Sequence, residues 1–322
     1  MMHSLPVGRI LLSQEAGLTD EQVGRIREAA VGASIELCDL QRVCQRAPQS
    51  EILAGNESGI TTDIFREPGL LRWVHLFQAG VDRILCPELI ESGITLTCAK
   101  GAHAVPIAEH TFAFMLAHVK ELVRHRQAQR ERIWDRHALG ELYGKTLCVV
   151  GLGNIGSEVA RRSACFGMHV VGTRRSGAPV PYVERVVPPD RLAEVLSDAD
   201  YVVLTLPFSP ETKGMIGVRE IAWMKPGAFV INVCRGQVLD HRALINALKS
   251  GHVAGAGLDA TDPEPLPAES ELWHLPNVII TPHDSAMSCV VRDRAVDMFC
   301  ENLKRYHNGE PLLQVVDKGA GY

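Results

Sequence analysis

Leu147-Cys148-Val149-Val150-Gly151-Leu152-Gly153-Asn154-Ile155-Gly156 is a short β-forming apolar run that ends in three glycines spaced G-x-G-x-x-G. A helical pattern follows and stops near Phe166-Gly167. The glycine spacing alone is a weak signal, but between a strand and a helix it marks a dinucleotide-binding turn. The first glycine allows the sharp turn and the second lets a pyrophosphate approach the backbone. The third lets helix and strand pack closely, which places the anion at the helix N-terminus. Gly151, Gly153, Asn154, Ile155 and Gly156 are therefore candidate cofactor contacts, and a purely structural glycine turn is the weaker alternative. About 20 residues on, an NAD site places an acid at the ribose 2′-hydroxyl. Here the sequence reads Gly172-Thr173-Arg174-Arg175-Ser176. Thr173, Arg174 and Arg175 offer donors to a 2′-phosphate, so NADP is expected in preference to NAD.

Further strands of the same series are expected near 168–173, 201–206, 228–233, 254–258 and 278–281. With 146–150 these make six, a full dinucleotide-fold sheet. An earlier α/β series places strands near 9–12, 34–37, 52–53, 73–76 and 94–97, with a capping box at Thr19-Asp20-Glu21-Gln22 opening a helix. Between the two, Pro106 and Glu109 suit the first turn of one long helix whose apolar stripe runs from Val105 through Phe112 and Val119 to Val123. The arginines 124, 126, 130, 132 and 136 beyond it are interleaved with Glu131 and Asp135, which reads as a solvated or subunit-facing surface rather than a nucleic-acid patch. A last helix is expected over 290–307, closed by Asn308-Gly309, with the tail 312–316 packing back on the first domain.

A chain of 322 residues exceeds one domain of roughly 150 residues and points to two. With 46 % hydrophobic and 22 % charged residues it is not a disordered, collagen-like or disulfide-scaffold protein. A net charge of −5 without long single-sign runs argues against nucleic acid or a membrane surface as partner and leaves a small molecule. The nine cysteines form no C-x-x-C pair and read as core residues in a reducing cytosol, hence a cytoplasmic location. The start, MMHSLPVGRILLSQ, lacks a basic leader and reads as a first strand, and no window has the apolar length of a membrane span. The thirteen histidines lack H-E-x-x-H spacing, and His110 and His118 fall on a helix without partners, so no metal is expected.

Arg235, Glu264 and His283 each follow a strand end, in Asn232-Val233-Cys234-Arg235-Gly236, Asp259-Ala260-Thr261-Asp262-Pro263-Glu264-Pro265 and Thr281-Pro282-His283. Open α/β sheets bind ligands there. Singly, each has an ordinary surface reading. Together with Gly144-Lys145-Thr146-Leu147, Leu206-Pro207-Phe208-Ser209-Pro210-Glu211-Thr212 and the terminal Gly309-Glu310-Pro311-Leu312 and Val315-Val316-Asp317, these stretches resemble the D-isomer-specific 2-hydroxyacid dehydrogenase family over nearly the whole chain.

That resemblance implies two doubly wound parallel-sheet α/β domains. A Rossmann-type cofactor domain, 101–284, is inserted into a flavodoxin-like substrate domain, 1–100 and 285–322, so that two crossings of one hinge can close a cleft. It implies catalytic roles for Arg235, Glu264 and His283. Cofactor contacts follow from Leu206, Pro207, Thr212, Val233, Cys234, Arg235 and His283, with Asp259 near the nicotinamide amide. The substrate is held by Arg235, His283 and the backbone N–H groups of Ala79 and Gly80. The chemistry agrees. Reducing a 2-oxo acid needs a cation on the carboxylate and a proton for the carbonyl oxygen. Arg235 suits the first as a bidentate clamp, and His283 the second because histidine exchanges protons near neutrality. Glu264 would fix the imidazole tautomer and favour its protonated form.

Asp284 and Ser285 depart from the apolar and small residues more common after this histidine, and capping of the next helix is their expected role. Glu264 argues against the formate dehydrogenase branch, where glutamine stands, and the expected chain lacks the regulatory extension of many phosphoglycerate dehydrogenases. The arginine pair is similar to the glyoxylate and hydroxypyruvate reductase branch, so those small 2-oxo acids lead, with bulkier ones as the alternative. Similar proteins are dimers, and Trp134 either reaches a partner's pocket or packs within its own chain. A non-enzymatic NAD(H)-sensing binder of the corepressor type shares the scaffold and is disfavoured by the missing acid after the second strand.

Overall fold

The computed structural model describes residues 8–81 and 83–321, so the stretch Met1–Val7 read above against a signal peptide, and Asp82, lie outside it. The chain forms two compact units, residues 1–103 with 288–322, and residues 104–287.

In the first unit, β1 (Arg9–Ser13), β2 (Ser34–Cys38), β3 (Ile52–Gly55), β4 (Trp73–Leu76) and β5 (Thr95–Cys98) run parallel in the order β2-β1-β3-β4-β5. This is the flavodoxin-like order. A parallel sheet is covered on both faces and so reads as continuous apolar runs. Accordingly Ile10, Leu11 and Leu12 are all fully buried, shared between the cores on the two faces. Thr19 and Gln22 form the expected capping box, with side-chain to backbone distances of 3.2 and 3.1 Å. The helix they open, Asp20–Ala29, is tied to the helix Val291–His307 by Gln22 Nε2 donating to Asp293 at 2.9 Å. The tail returns to this unit as expected: the Val316 N–H donates to the Leu96 carbonyl at 2.8 Å, and Lys318 Nζ donates to the carbonyls of Leu89, Ser92 and Ile94.

The second unit holds β6 (Thr146–Val150), β7 (His169–Thr173), β8 (Arg185–Val187), β9 (Tyr201–Leu204), β10 (Ala228–Asn232), β11 (Val253–Leu258) and β12 (Val278–Ile280). They run parallel in the order β8-β7-β6-β9-β10-β11-β12. The winding reverses between β6 and β9, the switch point where such sheets open a crevice at their carboxyl ends.

Three sequence expectations need correction. The sheet has a seventh strand, β8, which is only three residues long and followed by two prolines, too short to show a period. The long helix is two: Ala104–Val119 and Leu122–Glu131, broken at Glu121, whose φ is 47°. At the break the apolar seam ends: Val123 is exposed, and the Glu121 carboxylate receives Arg124 at 2.9 Å and His137 at 3.2 Å. Trp134 therefore lies not at the end of a long helix but in the segment after the second one, 94 % exposed, and packs in no core of its own chain. Among the described residues no helix is long and apolar enough to cross a membrane, and all nine cysteines are free thiols.

Candidate active site

The glycine turn lies at the switch point and is shaped for a diphosphate. Gly151 sits at φ 108°, a conformation that side chains resist, and a Cβ on Gly156 would lie 2.2 Å from the Gly151 carbonyl oxygen. At Gly153 a Cβ would meet nothing within 4 Å, so that face is open. Gly153 caps the helix Asn154–Cys165 without a side chain, which leaves first-turn N–H groups of Asn154 and Ile155 available to an anion. Thr205, at the end of β9, donates its hydroxyl to the Gly151 carbonyl at 2.6 Å and holds the turn in place. The loop after β9 carries Leu206 and Pro207 and is closed by Thr212, whose hydroxyl donates to the Pro207 carbonyl at 2.7 Å and accepts from the Ser209 N–H at 2.8 Å. Residues and space here fit a dinucleotide.

β7 ends at buried Thr173, and Arg174 and Arg175 are exposed on the turn beyond it. An acid does stand nearby, though not on that strand. Glu211 accepts from Arg175 Nη2 at 3.0 Å.

Three further loops are laced together past β10, β11 and β12. Buried Asn232 donates to the carbonyls of Arg235 (3.1 Å) and Ala260 (3.3 Å) and accepts from the Cys234 N–H at 3.1 Å. Only glycine fits after Arg235, because a Cβ at Gly236 would lie 1.9 Å from the Thr261 carbonyl oxygen. Thus the Val233-Cys234-Arg235 loop is pressed onto the segment leading to Glu264. Burial pushes the Cys234 thiol up to about 11, so it stays protonated and inert. Glu264 Oε1 accepts from the Thr261 N–H at 3.0 Å, and the two carboxylate oxygens lie 3.0 and 2.9 Å from His283 Nδ1. An ionised carboxylate can only accept, so Nδ1 carries a proton and the other ring nitrogen, Nε2, is left for a ligand. His283 is 39 % exposed at its side chain and holds a left-handed φ of 54°.

Asp259, 2 % exposed, is the hub under that turn. Its carboxylate accepts from the Thr281 hydroxyl at 2.6 Å, the Asp284 N–H at 3.0 Å and the Ser285 N–H at 3.1 Å. Burial pushes this carboxyl up, but the hydrogen bonds from Ser285, Thr281 and Asp284 outweigh it and hold it below the ordinary value, ionised. Asp284 and Ser285 therefore do not cap the helix that starts at Val291; their backbone serves Asp259 instead. His110 does have partners: Thr281 Oγ1 at 3.0 Å and Asp259 at 3.8 Å. Ligand atoms of His110, Asp259 and Asp284 lie within 4.8 Å of one another. Asp259 already accepts from three protein groups, which is the arrangement of a hydrogen-bond network.

The structure thus brings Arg235, Glu264, His283 and Asp259 onto adjoining loops of one sheet edge. Ala79 and Gly80 belong to the other unit, in the turn after β4, where Gln78 Nε2 donates to the Gly80 carbonyl at 3.3 Å. The sequence reading missed the supporting roles of Thr205, Asn232, Thr281, His110 and Glu211. Each is a lone polar residue at or beyond a strand end or on a helix, with no spacing to announce its partner.

Residues 112–285 match the family model described as D-isomer specific 2-hydroxyacid dehydrogenase, NAD binding domain. A glyoxylate reductase of Pyrococcus furiosus is 35 % identical over 271 residues, covering 80 % of each chain. A D-3-phosphoglycerate dehydrogenase of Methanocaldococcus jannaschii is 33 % identical over 306 residues, 92 % of this chain but 56 % of that longer relative. Among solved structures, an NADPH-dependent glyoxylate/hydroxypyruvate reductase from Sinorhizobium meliloti, in complex with NADP and sulfate, superposes with a TM-score of 0.82 at 26 % identity, covering 98 % of this chain and 99 % of that one.

Proposed function

The chain belongs to the D-isomer specific 2-hydroxyacid dehydrogenase family and is an NAD(P)-dependent enzyme of that class; from that premise we propose that it reduces small 2-oxo acids, glyoxylate or hydroxypyruvate, with NADPH as the preferred donor. The observation that carries the catalytic part is the pairing of His283 Nδ1 with both oxygens of Glu264 on the loop laced to Arg235. The nicotinamide, when bound, supplies the hydride. Arg235 holds the substrate carboxylate and polarises the carbonyl. His283, with Nδ1 committed to Glu264, delivers a proton from Nε2 to the carbonyl oxygen, and takes it back in the oxidative direction. Glu264 fixes the tautomer and balances the imidazolium. We assign the backbone N–H groups of Ala79 and Gly80 to the substrate carboxylate on the family resemblance alone.

Preference for NADPH is supported by the two exposed arginines after β7 and by the absence of an acid on that strand end. The size of the substrate is supported by the glyoxylate reductase relatives. Initial rates with NADPH and NADH over a panel of 2-oxo acids test both points. Turnover of glyoxylate or hydroxypyruvate with a kcat/KM favouring NADPH is expected, and a clear NADH preference or selective turnover of bulky acids overturns the corresponding part.

A homodimer is supported by the helix Leu122–Glu131, which buries no residue of its own, and by exposed Leu122, Ile133, Trp134 and Leu139 beside it. Trp134→Ala with Ile133→Ser should shift sedimentation toward the monomer. A cytoplasmic location is in keeping with nine unpaired thiols.

A further inference from the structure

We propose that His110 is a positioning residue for the reaction, acting through Thr281 and Asp259 on the turn that carries His283. The proposal deepens the dehydrogenase reading and rests on it for its catalytic consequence. The Thr281 hydroxyl has one proton. Asp259 is ionised and can only accept, and it lies 2.6 Å away, so that proton is committed to Asp259. The contact of 3.0 Å between His110 Nε2 and Thr281 Oγ1 is then a donation from the imidazole to the threonine oxygen. This sets the ring as the Nε2–H form, 171 residues away in sequence from the group it supports.

The resulting chain runs from His110 through Thr281 to Asp259. The same carboxylate also receives the N–H groups of Asp284 and Ser285. Both flanks of His283 are thus tied to one buried oxygen pair: the hydroxyl two residues before it, and the amides one and two residues after it. The turn has to be held, because His283 adopts a left-handed φ of 54° that a residue with a side chain resists. Glu264 secures only the imidazole, from outside the turn. The His110 ring is itself held edge-on against Phe114, centroids 4.8 Å apart, one helical turn further along Ala104–Val119. The charged groups facing it are Asp259 at 3.8 Å and Asp284, whose carboxylate lies within 4.8 Å. Without the Nε2–H the threonine oxygen loses its donor, Thr281 is anchored through Asp259 alone, and the turn loosens on the side that leads into His283.

Two substitutions separate this from simple packing. His110→Phe fills the space and keeps the contact with Phe114 but has no N–H, whereas His110→Gln keeps a donor and loses the ring. We expect His110→Phe to lower kcat for NADPH-dependent glyoxylate reduction on the order of tenfold to a hundredfold, and His110→Gln to recover most of it, with melting temperatures of both near the parent. Thr281→Val should cost a similar factor, and adding His110→Phe to it should cost little more. The opposite ranking, with Phe at parental rates and Gln impaired, overturns the proposal, as does full additivity of the double variant. The ring ¹⁵N shifts of His110 give a readout that needs no turnover. The Nε2–H form is expected, and a lone pair at Nε2 overturns the donor chain. Failure of the unsubstituted protein to reduce any 2-oxo acid would instead overturn the substrate reading and leave that ring assignment standing.

Discussion

The two units follow one plan, a parallel sheet covered on both faces, yet His75 in one and His283 in the other stand in opposite surroundings. His75 is the third residue of β4 and is 0 % exposed, stacked on Phe299 at 4.7 Å and edge-on to Phe77. Its Nδ1 lies 2.8 Å from the Thr97 hydroxyl, which also receives the Trp73 indole N–H at 2.8 Å. Burial pushes His75 down to about 3, so it is a neutral core ring. His283 stands three residues past the end of β12, exposed and carboxylate-paired. In the middle of β4 the imidazole is packed among aromatic rings and is held neutral by burial. Just past the carboxyl end of β12 the ring is held by a carboxylate on a neighbouring loop and stays open to solvent. The difference teaches that it is the strand's end, rather than the strand, that turns a rigid sheet into a site for chemistry.

The contrast can be broken at several points. The largest effect is expected at His75. Its folded value near 3 lies below the ordinary 6.5, so the unfolded chain binds a proton that the folded chain refuses. Its contribution is fully present above pH 6.5 and is lost as the pH falls toward 3, about 5 kcal/mol over that window. Urea unfolding followed between those pH values should show a flatter pH dependence in His75→Phe than in the parent, and parallel curves would show that burial does not keep this ring neutral. Next comes His283→Ala, which should lower kcat about a thousandfold, near 4 kcal/mol of barrier, because a positioned acid is lost. Near-parental turnover would remove His283 from the chemistry.

Arg235→Ala should raise KM for the oxo acid and lower kcat, about a hundredfold in kcat/KM combined, with Arg235→Lys recovering only part because the ammonium lacks the planar fork. Equal rescue by lysine would reduce its role to charge. The smallest shift is expected for Glu264→Gln, roughly tenfold in kcat. An amide can turn its N–H toward Nδ1 and no longer fixes the Nδ1–H tautomer, so proton delivery from Nε2 slows. A kcat at the parental level would count against the pairing as what orients the ring.

The fold was legible to the degree that it depends on short-range pattern. Short apolar or alternating runs announced the strands of the first unit, and the glycine spacing after Val150 located the switch point. Arg235, Glu264 and His283 were visible because they occupy one kind of place, the residues following a strand end. Illegible were the features that depend on a partner far along the chain. β8 is three residues long, and its parallel pairing with β7 gives it its identity. The Glu121 break lies inside a stretch whose helical stripe runs on without interruption, and His137 meets Glu121 from 16 residues away. Glu211 answers Arg175 from a loop 36 residues away.

By itself, then, the sequence determined the two sheets apart from β8, the glycine turn and the three ionisable residues at strand ends, because periodicity, turn chemistry and propensity act within a few residues of one another. Only the tertiary structure decided which polar groups meet under those strand ends. Asp259 with Thr281 and the amides after His283, Asn232 with Ala260, and His110 with Thr281 are pairings made between segments. A buried donor or acceptor must find its partner wherever the packed chain brings one, and sequence spacing carries no record of that meeting.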